Sequence, residues 1–351
     1  MYIVRPVENR DVPALVALAS GLTQGVHTMA KSPAGIERAV EQSLRSFASH
    51  VDIAGEESYL FVLEDTADHS LIGSAAIAAT AGSKGTFFSF RNDVIQQVSR
   101  DLNISHSVHA LTLCADLTSY SQLLSFFVQR GHHDQPEAAL LSRARLMFAA
   151  CLPQRFSEHF FVSLAGHTDQ AGRAPFWEAL GRKFFQMDFL EAERLVQGAR
   201  NRNLIVELMP HYPVYVPLLP GDAQASMGQV HPESEVPFEI LTKEGFAADE
   251  YIDIFDGGPI LEASRHALHA FTHGLKLQVA GEAAAATAAA AVAQSAGGAI
   301  TYLVAPVRET EFRATLMQSE TLEPGQTVRL SDEVMQALQV TPGDIVLCIP
   351  T

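Results

Sequence analysis

The chain has 351 residues, 40 acidic against 24 basic, for a net charge of −16. Such a surface repels phosphate backbones and anionic membranes, which argues against nucleic-acid binding by charge and against a membrane partner. Hydrophobic residues make up 47 % and charged residues 18 %, the balance of a globular protein, and the length calls for two or three structural units.

The opening MYIVRPVENRDVPALVAL has no basic segment leading into an apolar run, so it does not read as a signal peptide. Tyr2 to Val7 predicts a strand. Glu8 to Asp11 then starts a helix with Pro13 in its first turn. After the loop SGLTQGVHTMAKSP, apolar residues at Ile36, Val40, Leu44 and Phe47 predict a second helix over about 34–48. Tyr59 to Glu64 and Leu71 to Thr80, joined by DTADHS, read as a hairpin.

His109 to Cys114 and Leu123 to Gln129 are strand-like, and Pro136 to Cys151 is a helix with Leu140, Leu141, Ala144, Met147 and Phe148 on one face. A strand at His159 to Ala165 and a helix at Pro175 to Met187 complete a first α/β region, 1–190. A second region, 191–274, carries a strand at Val214 to Leu219, a helix at Asp222 to Met227, a further helix ending at Gly245 and a strand at Tyr251 to Phe255. The stretch GEAAAATAAAAVAQSAGG marks an alanine-rich linker, 275–299, and residues 300–351 read as a small β-domain of their own. No stretch reaches the roughly 18 apolar residues needed to cross a bilayer. Cys114, Cys151 and Cys348 are far apart, which points to a reducing cytoplasm rather than a disulfide scaffold.

Three places carry candidate chemistry. RGHHDQ, at Arg130 to Gln135, joins a strand to a helix. Free backbone N–H groups at a helix start suit a pyrophosphate, as in the GNAT acyltransferases, although the glycines of that fingerprint are missing and an ordinary turn reads equally well. His132, His133 and Asp134 are adjacent, so their side chains diverge and no metal site is expected. His266, His269 and His273 would share one helix face, read here as a solvated face. In MGQVHPESEVPFEIL, His231 precedes Pro232. Proline favours the first helical position and pushes its predecessor out of the α region, which makes His231 a helix N-cap. A histidine there meets the positive end of the helix dipole, which lowers its pKa towards the range useful for proton transfer. On the residues alone, both a structural cap and a proton-transfer group remain open.

The motifs IVRPVENRDVPAL, YLFVLED, SFRN, LTLCADLT, LLSRAR, APFWEALGRKFFQMDF, ELMPHYPVYVPLLP, GQVHP and YIDIFDGGP follow one another from Ile3 to Pro259. In this the chain resembles the arginine N-succinyltransferase family, and within it the alpha-subunit type of the arginine/ornithine succinyltransferases. The resemblance implies a GNAT-like acyl-CoA N-acyltransferase fold of mixed α/β class. It implies transfer of succinyl from succinyl-CoA to the α-amine of L-arginine or L-ornithine in arginine catabolism. No permanently bound cofactor is implied, and a homologous beta subunit or a homo-oligomer is. His231 would be the proton donor and Phe126 the succinyl-CoA contact. Where the family carries G-x-T-[ST]-L-P, this chain reads Gly25-Val-His-Thr-Met-Ala30, with His27 and Ala30 as departures that bear on the acceptor. Another acyl-CoA-dependent amine acyltransferase and a supporting, non-catalytic subunit are the alternatives. A guanidinium calls for a bidentate carboxylate, and Glu178, Glu207, Asp253 and Asp256 lie within the shared motifs.

Overall fold

The computed structural model describes residues 1–23, 26, 30–132, 135–169, 171–196, 207–281, 299–308 and 311–351. The loop at 25–30, with His27, lies almost wholly outside the described residues, as do His133, Asp134 and the alanine-rich stretch 282–298.

Ten strands form one sheet: β1 (Tyr2–Pro6), β2 (Ser58–Asp65), β3 (Leu71–Ala78), β4 (Ser89–Ser99), β5 (Ile104–Cys114), β6 (Ser121–Val128), β7 (His159–Ser163), β8 (Val214–Tyr215), β9 (Ala247–Ile252) and β10 (Pro259–Ser264). Their order is β1-β2-β3-β6-β7-β10-β9-β4-β5-β8. The pairings are antiparallel except that β6 and β7 run parallel. The two strands expected in a second region, near β8 and β9, therefore join the first sheet, together with β10, which was not expected. The strand expected over Val214 to Leu219 is only two residues long, because Val216–Leu218, with Pro217 near its start, turns into a 3₁₀ helix. Strand β4 was not anticipated. Its polar, half-exposed second half, Asp93 to Ser99, lacks an apolar run, and eleven paired positions against β5 hold it instead.

Three helices pack on this sheet: α1 (Val12–Ala19), α2 (Pro33–Ala48) and α3 (Pro136–Cys151). Ser32 caps α2 by accepting from the Gly35 amide, with Pro33 in the first helical position. Helix α3 is buried on more than the single face its periodicity suggested, from Ala138 to Cys151, because it lies between two sheets. The second sheet contains β11 (Leu275–Val279), β12 (Ile300–Pro306), β13 (Thr315–Ser319), β14 (Thr327–Val328) and β15 (Ile345–Pro350). Residues 275–279, assigned above to the linker, are thus a strand paired with β15. Nor does 300–351 stand apart. Leu303, Ala305, Phe312 and Leu347 share one core with α3, and Val4 and Ala314 exchange backbone hydrogen bonds of 2.8 and 2.9 Å.

A buried ion pair ties these layers together. Glu244 ends the Glu235–Glu244 helix, accepts from Arg143 Nε of α3 at 2.6 Å, and accepts from the Ala270 amide at 2.7 Å. Its side chain is fully shielded, and that of Arg143 is 11 % exposed. Removing one partner of a buried pair strands the other, at a cost of about 3–5 kcal/mol. Glu244→Ala is therefore expected to lower unfolding stability by about that much, read as an earlier urea midpoint. Glu244→Gln, which keeps an acceptor for Ala270, is expected to lose less.

Candidate active site

Strands β6 and β7 pair over only three positions, Ser121 with Phe160, Gln122 with Phe161 and Leu123 with Val162. Past Leu123, β6 continues along β3 while its pairing with β7 stops. The register against β3 shifts there, between Ala76–Leu124 and Ser74–Phe127, and Ser125 adopts a left-handed φ of 53°. A non-glycine residue in that region is strained and needs its surroundings to hold it. The result is a bulge on one wall of a gap between two parallel strands, the kind of irregularity that re-aims side chains beside a site.

The gap is a cavity of about 460 Å³. One wall is Leu123 to Val128 of β6, including Phe126, and another is Val162 to Ala165 at the end of β7. A third is Pro232 to Pro237, the chain just after His231. Phe126 and Pro232, more than a hundred residues apart, thus meet at one cavity, while His231 stands next to that wall and is not itself among the lining residues. Arg130, 90 % exposed, stands at its rim with Nη2 4.0 Å from the Glu233 carboxylate. The Thr23 hydroxyl donates to that carboxylate at 2.7 Å, which joins the loop after α1 to the same rim.

His231 is the N-cap that its sequence predicts, at the head of the 3₁₀ turn Pro232–Ser234. Its Nδ1 accepts from the Glu233 amide at 3.2 Å. In the neutral ring this puts the proton on Nε2, which has no partner among the described residues. The ring is half-buried, and its pKa lies below the ordinary 6.5. Burial is the leading cause, neighbouring Glu233 opposes it, and His167 adds to it. The direction matches the sequence expectation, but desolvation rather than the helix dipole leads.

The backbone beneath His231 is pinned. Its amide donates to the Ala165 carbonyl at 2.8 Å, and Val230 bridges Gly166. Asp256 accepts from the Gly166 amide at 2.6 Å and from the Gly258 amide at 2.8 Å, while the Gly228 amide donates to the Gly257 carbonyl at 2.9 Å. Only glycine fits at 166, since a Cβ would lie 2.7 Å from the Gly258 nitrogen and 2.8 Å from the Asp256 oxygen. Asp253 accepts from the Ser163 hydroxyl and the Phe255 amide. Asp253 and Asp256 are therefore braces for the turn that seats His231, rather than carboxylates lining the cavity.

The remaining candidates are dispersed. Glu178 is engaged by Arg182 at 2.7 Å, Glu207 is exposed, and neither lines the cavity. The carboxylates that do line it, Glu233 and Glu235, were missed, although they directly follow the His-Pro joint. His132 packs edge-on against Tyr2 with ring centres 5.7 Å apart. His266, His269 and His273 are exposed, and only His269 to Thr272 is helical. Among the described residues no group of three or more histidine, cysteine or acidic side chains is placed to hold a metal ion, and no helix is long and apolar enough to cross a membrane. A further omission was Arg145, buried over Phe126. Its signal was a charged residue amid the apolar run of α3.

Comparison with known proteins places this arrangement among the acyltransferases. A family model described as "Arginine N-succinyltransferase beta subunit" matches residues 2–270, and that of the corresponding C-terminal domain matches 285–350. The chain belongs to the arginine N-succinyltransferase family. It is 42 % identical to the arginine N-succinyltransferase subunit alpha of Pseudomonas aeruginosa, over 98 % of each chain. It is 34 % identical to the arginine N-succinyltransferase of Yersinia enterocolitica, over 99 % of this chain and 97 % of that one. The solved structure of the arginine/ornithine succinyltransferase subunit AI from Pseudomonas aeruginosa superposes with a TM-score of 0.86 at 40 % identity, covering 100 % of this chain and 98 % of that one.

Because burial depresses the imidazole pKa, protons bind the unfolded chain before they bind native His231 as the pH falls below 6.5. His231 protonation therefore works against the native state on the acid side. In an NMR titration the His231 ring is expected to show a midpoint below 6.5; a midpoint above 6.5 contradicts the environment described.

Proposed function

We propose that this chain transfers the succinyl group of succinyl-CoA to the α-amine of L-arginine, releasing CoA and N2-succinylarginine, as the first step of arginine catabolism by the succinyltransferase route. The observation that carries the reading is one cavity that takes Phe126 from one wall and, from another, the turn Pro232 to Pro237 that His231 caps. The fold is read as GNAT-like. The gap between parallel β6 and β7, the bulge at Ser125 and the helix that follows β6 support this.

The proposed path of succinyl-CoA follows from those walls. Arg130 offers positive charge at the rim, where the pyrophosphate would lie, and the 16-residue α3 begins six residues further along the chain. The pantetheine arm would run along the unpaired edge of β6, which brings the thioester to Phe126. The arginine α-amine attacks the thioester carbonyl, a C–N bond forms, and the C–S bond breaks. One proton leaves the amine and one reaches the departing thiolate, so the step balances. His231 presents Nε2–H to the departing sulfur, because Nδ1 is held by the Glu233 amide; it donates as the imidazolium, formed when the ring takes up the proton the amine loses, and returns to the neutral ring. Succinyl-CoA is a co-substrate, and no resident cofactor takes part.

Ornithine is the second acceptor, since the structural relative is named for both amino acids. It offers the same α-amine on a shorter cationic side chain. A homologous beta subunit or a second copy of the chain is the proposed partner. Pseudomonas aeruginosa has a beta subunit that is 37 % identical over 79 % of this chain. A cytoplasmic location fits three cysteines that form no disulfide.

Free-thiol release from succinyl-CoA tests the reading. Release is expected with L-arginine or L-ornithine and not with N2-acetyl-L-arginine, whose α-amine is blocked. His231→Ala is expected to slow release by at least tenfold, since general acid–base catalysis is typically worth about 10²–10⁴-fold. Release with neither amino acid, alone or with a beta subunit, overturns the proposed reaction. Release untouched by the substitution removes His231 from it.

A further inference from the structure

Arg145 lines the cavity from α3 and is only 1 % exposed. Its guanidinium sits 5.5 Å from the centre of the Phe126 ring. Its Nε donates to the Ser142 carbonyl at 3.1 Å and Nη2 to the Ser142 hydroxyl at 2.9 Å. Nη1 reaches the carbonyls of the paired Ala76 and Leu124, just before the bulge, only at 3.4 and 3.5 Å. None of these partners is charged. Burial alone pushes the pKa of this group down, to about 9, so it remains a cation at neutral pH.

The other buried arginines differ. Arg5 is held by Asp11 and Glu64, and Arg143 by Glu244. Arg155 bonds the Ser46 and Ser49 carbonyls and the Tyr59 hydroxyl and does not line the cavity. Arg145 is therefore a buried charge with uncharged protein partners, facing an empty volume. A desolvated cation without a counterion is costly, and a ligand carboxylate is the group that most directly compensates it. Its depth fits such a role. Phe126 lies four residues into β6 from Arg130, about 13 Å at roughly 3.3 Å per residue. Arg145 lies nine residues into α3 from Pro136, about 13.5 Å at roughly 1.5 Å per residue. Both place it at the inner end of the path, level with the thioester, far from the rim where phosphates would lie.

We propose that Arg145 binds the distal carboxylate of the acyl group and so selects a dicarboxylic acyl thioester over neutral acyl thioesters. This rests on the succinyl-CoA reading above and adds the residue that reads the acyl chain. Its test needs no acceptor amine. Calorimetric binding of succinyl-CoA is compared with that of butyryl-CoA, which lacks the carboxylate, and of 4-methylpentanoyl-CoA, in which two methyl groups replace the carboxylate oxygens. The protein is expected to favour succinyl-CoA by about 10- to 100-fold, the worth of a charge-assisted contact. Arg145→Met is expected to bring that preference to within threefold while free CoA binds unchanged. Arg145→Lys, which keeps the charge without the fork, is expected to retain part of it. No preference in the unaltered protein overturns the proposal, as does a preference that survives in Arg145→Met with its thermal transition intact. Preferential binding of succinyl-CoA without thiol release on adding arginine or ornithine upholds Arg145 and overturns the acceptor. Failure of every CoA ester to bind overturns both.

Discussion

The short parallel pairing of β6 with β7 is the constraint on which the rest depends. Three paired positions are enough to register the two strands, and their abrupt end opens a gap in the middle of a ten-stranded sheet. Backbone left unpaired in a protein interior is expensive unless another partner serves it. The bulge at Ser125 keeps β6 attached to β3 through Phe127 and Val128, while the far edge is released to the cavity. At β7 the same problem is solved from the other side. Ala165 and Gly166 pair with His231 and Val230, so the strand's departing end becomes the seat of the histidine.

That seat depends on residues with no chemistry of their own. Asp256 gathers the amides of Gly166 and Gly258, and Asp253 gathers the Ser163 hydroxyl and the Phe255 amide. Both carboxylates are buried and accept hydrogen bonds from these donors. Close approach of the 253–258 turn to β7 requires the absence of a Cβ at Gly166. The motif YIDIFDGGP, which contains both aspartates, is thus structural in a specific sense: it fixes where His231 begins its turn. A carboxylate in a motif is easily read as a substrate contact, and here burial with amide partners decides against that.

The sequence is most informative where signals are local. The His-Pro joint announces its cap because proline restricts both itself and its predecessor, and the structure has His231 in extended conformation at φ −63°, ψ 145°. Helices α2 and α3 follow from apolar spacing and from prolines at their first turns. Strand β4 is invisible because its second half is polar and exists through pairing with β5. The placement of β11 is hidden by the alanine-rich stretch that follows it, since pairing with β15 is a contact across 70 residues. The resemblance names Phe126 and His231, but the geometry of the cavity is not written in any local signal. Nothing local shows that Phe126 and Pro232 share a cavity, or that Arg145 points into it while Arg143, two residues earlier, turns to Glu244.

Charge gives these pieces a common logic. A protein of net charge −16 repels a polyanionic thioester at long range, so the attraction that holds one must be local and shielded from solvent. Two arginines line the cavity, Arg130 at the rim and Arg145 within, and only Arg145 is shielded from solvent. Their graded exposure matters. Arg130 is open to water, where its pull is screened and reversible, which suits a phosphate-bearing group that must leave after each turnover. Arg145 is dry, where a charge interacts more strongly with whatever reaches it and discriminates most sharply between an anionic and a neutral chain end. The acidic remainder of the surface then favours a cationic amino acid over an anionic one as the second substrate, and favours departure of the anionic product CoA.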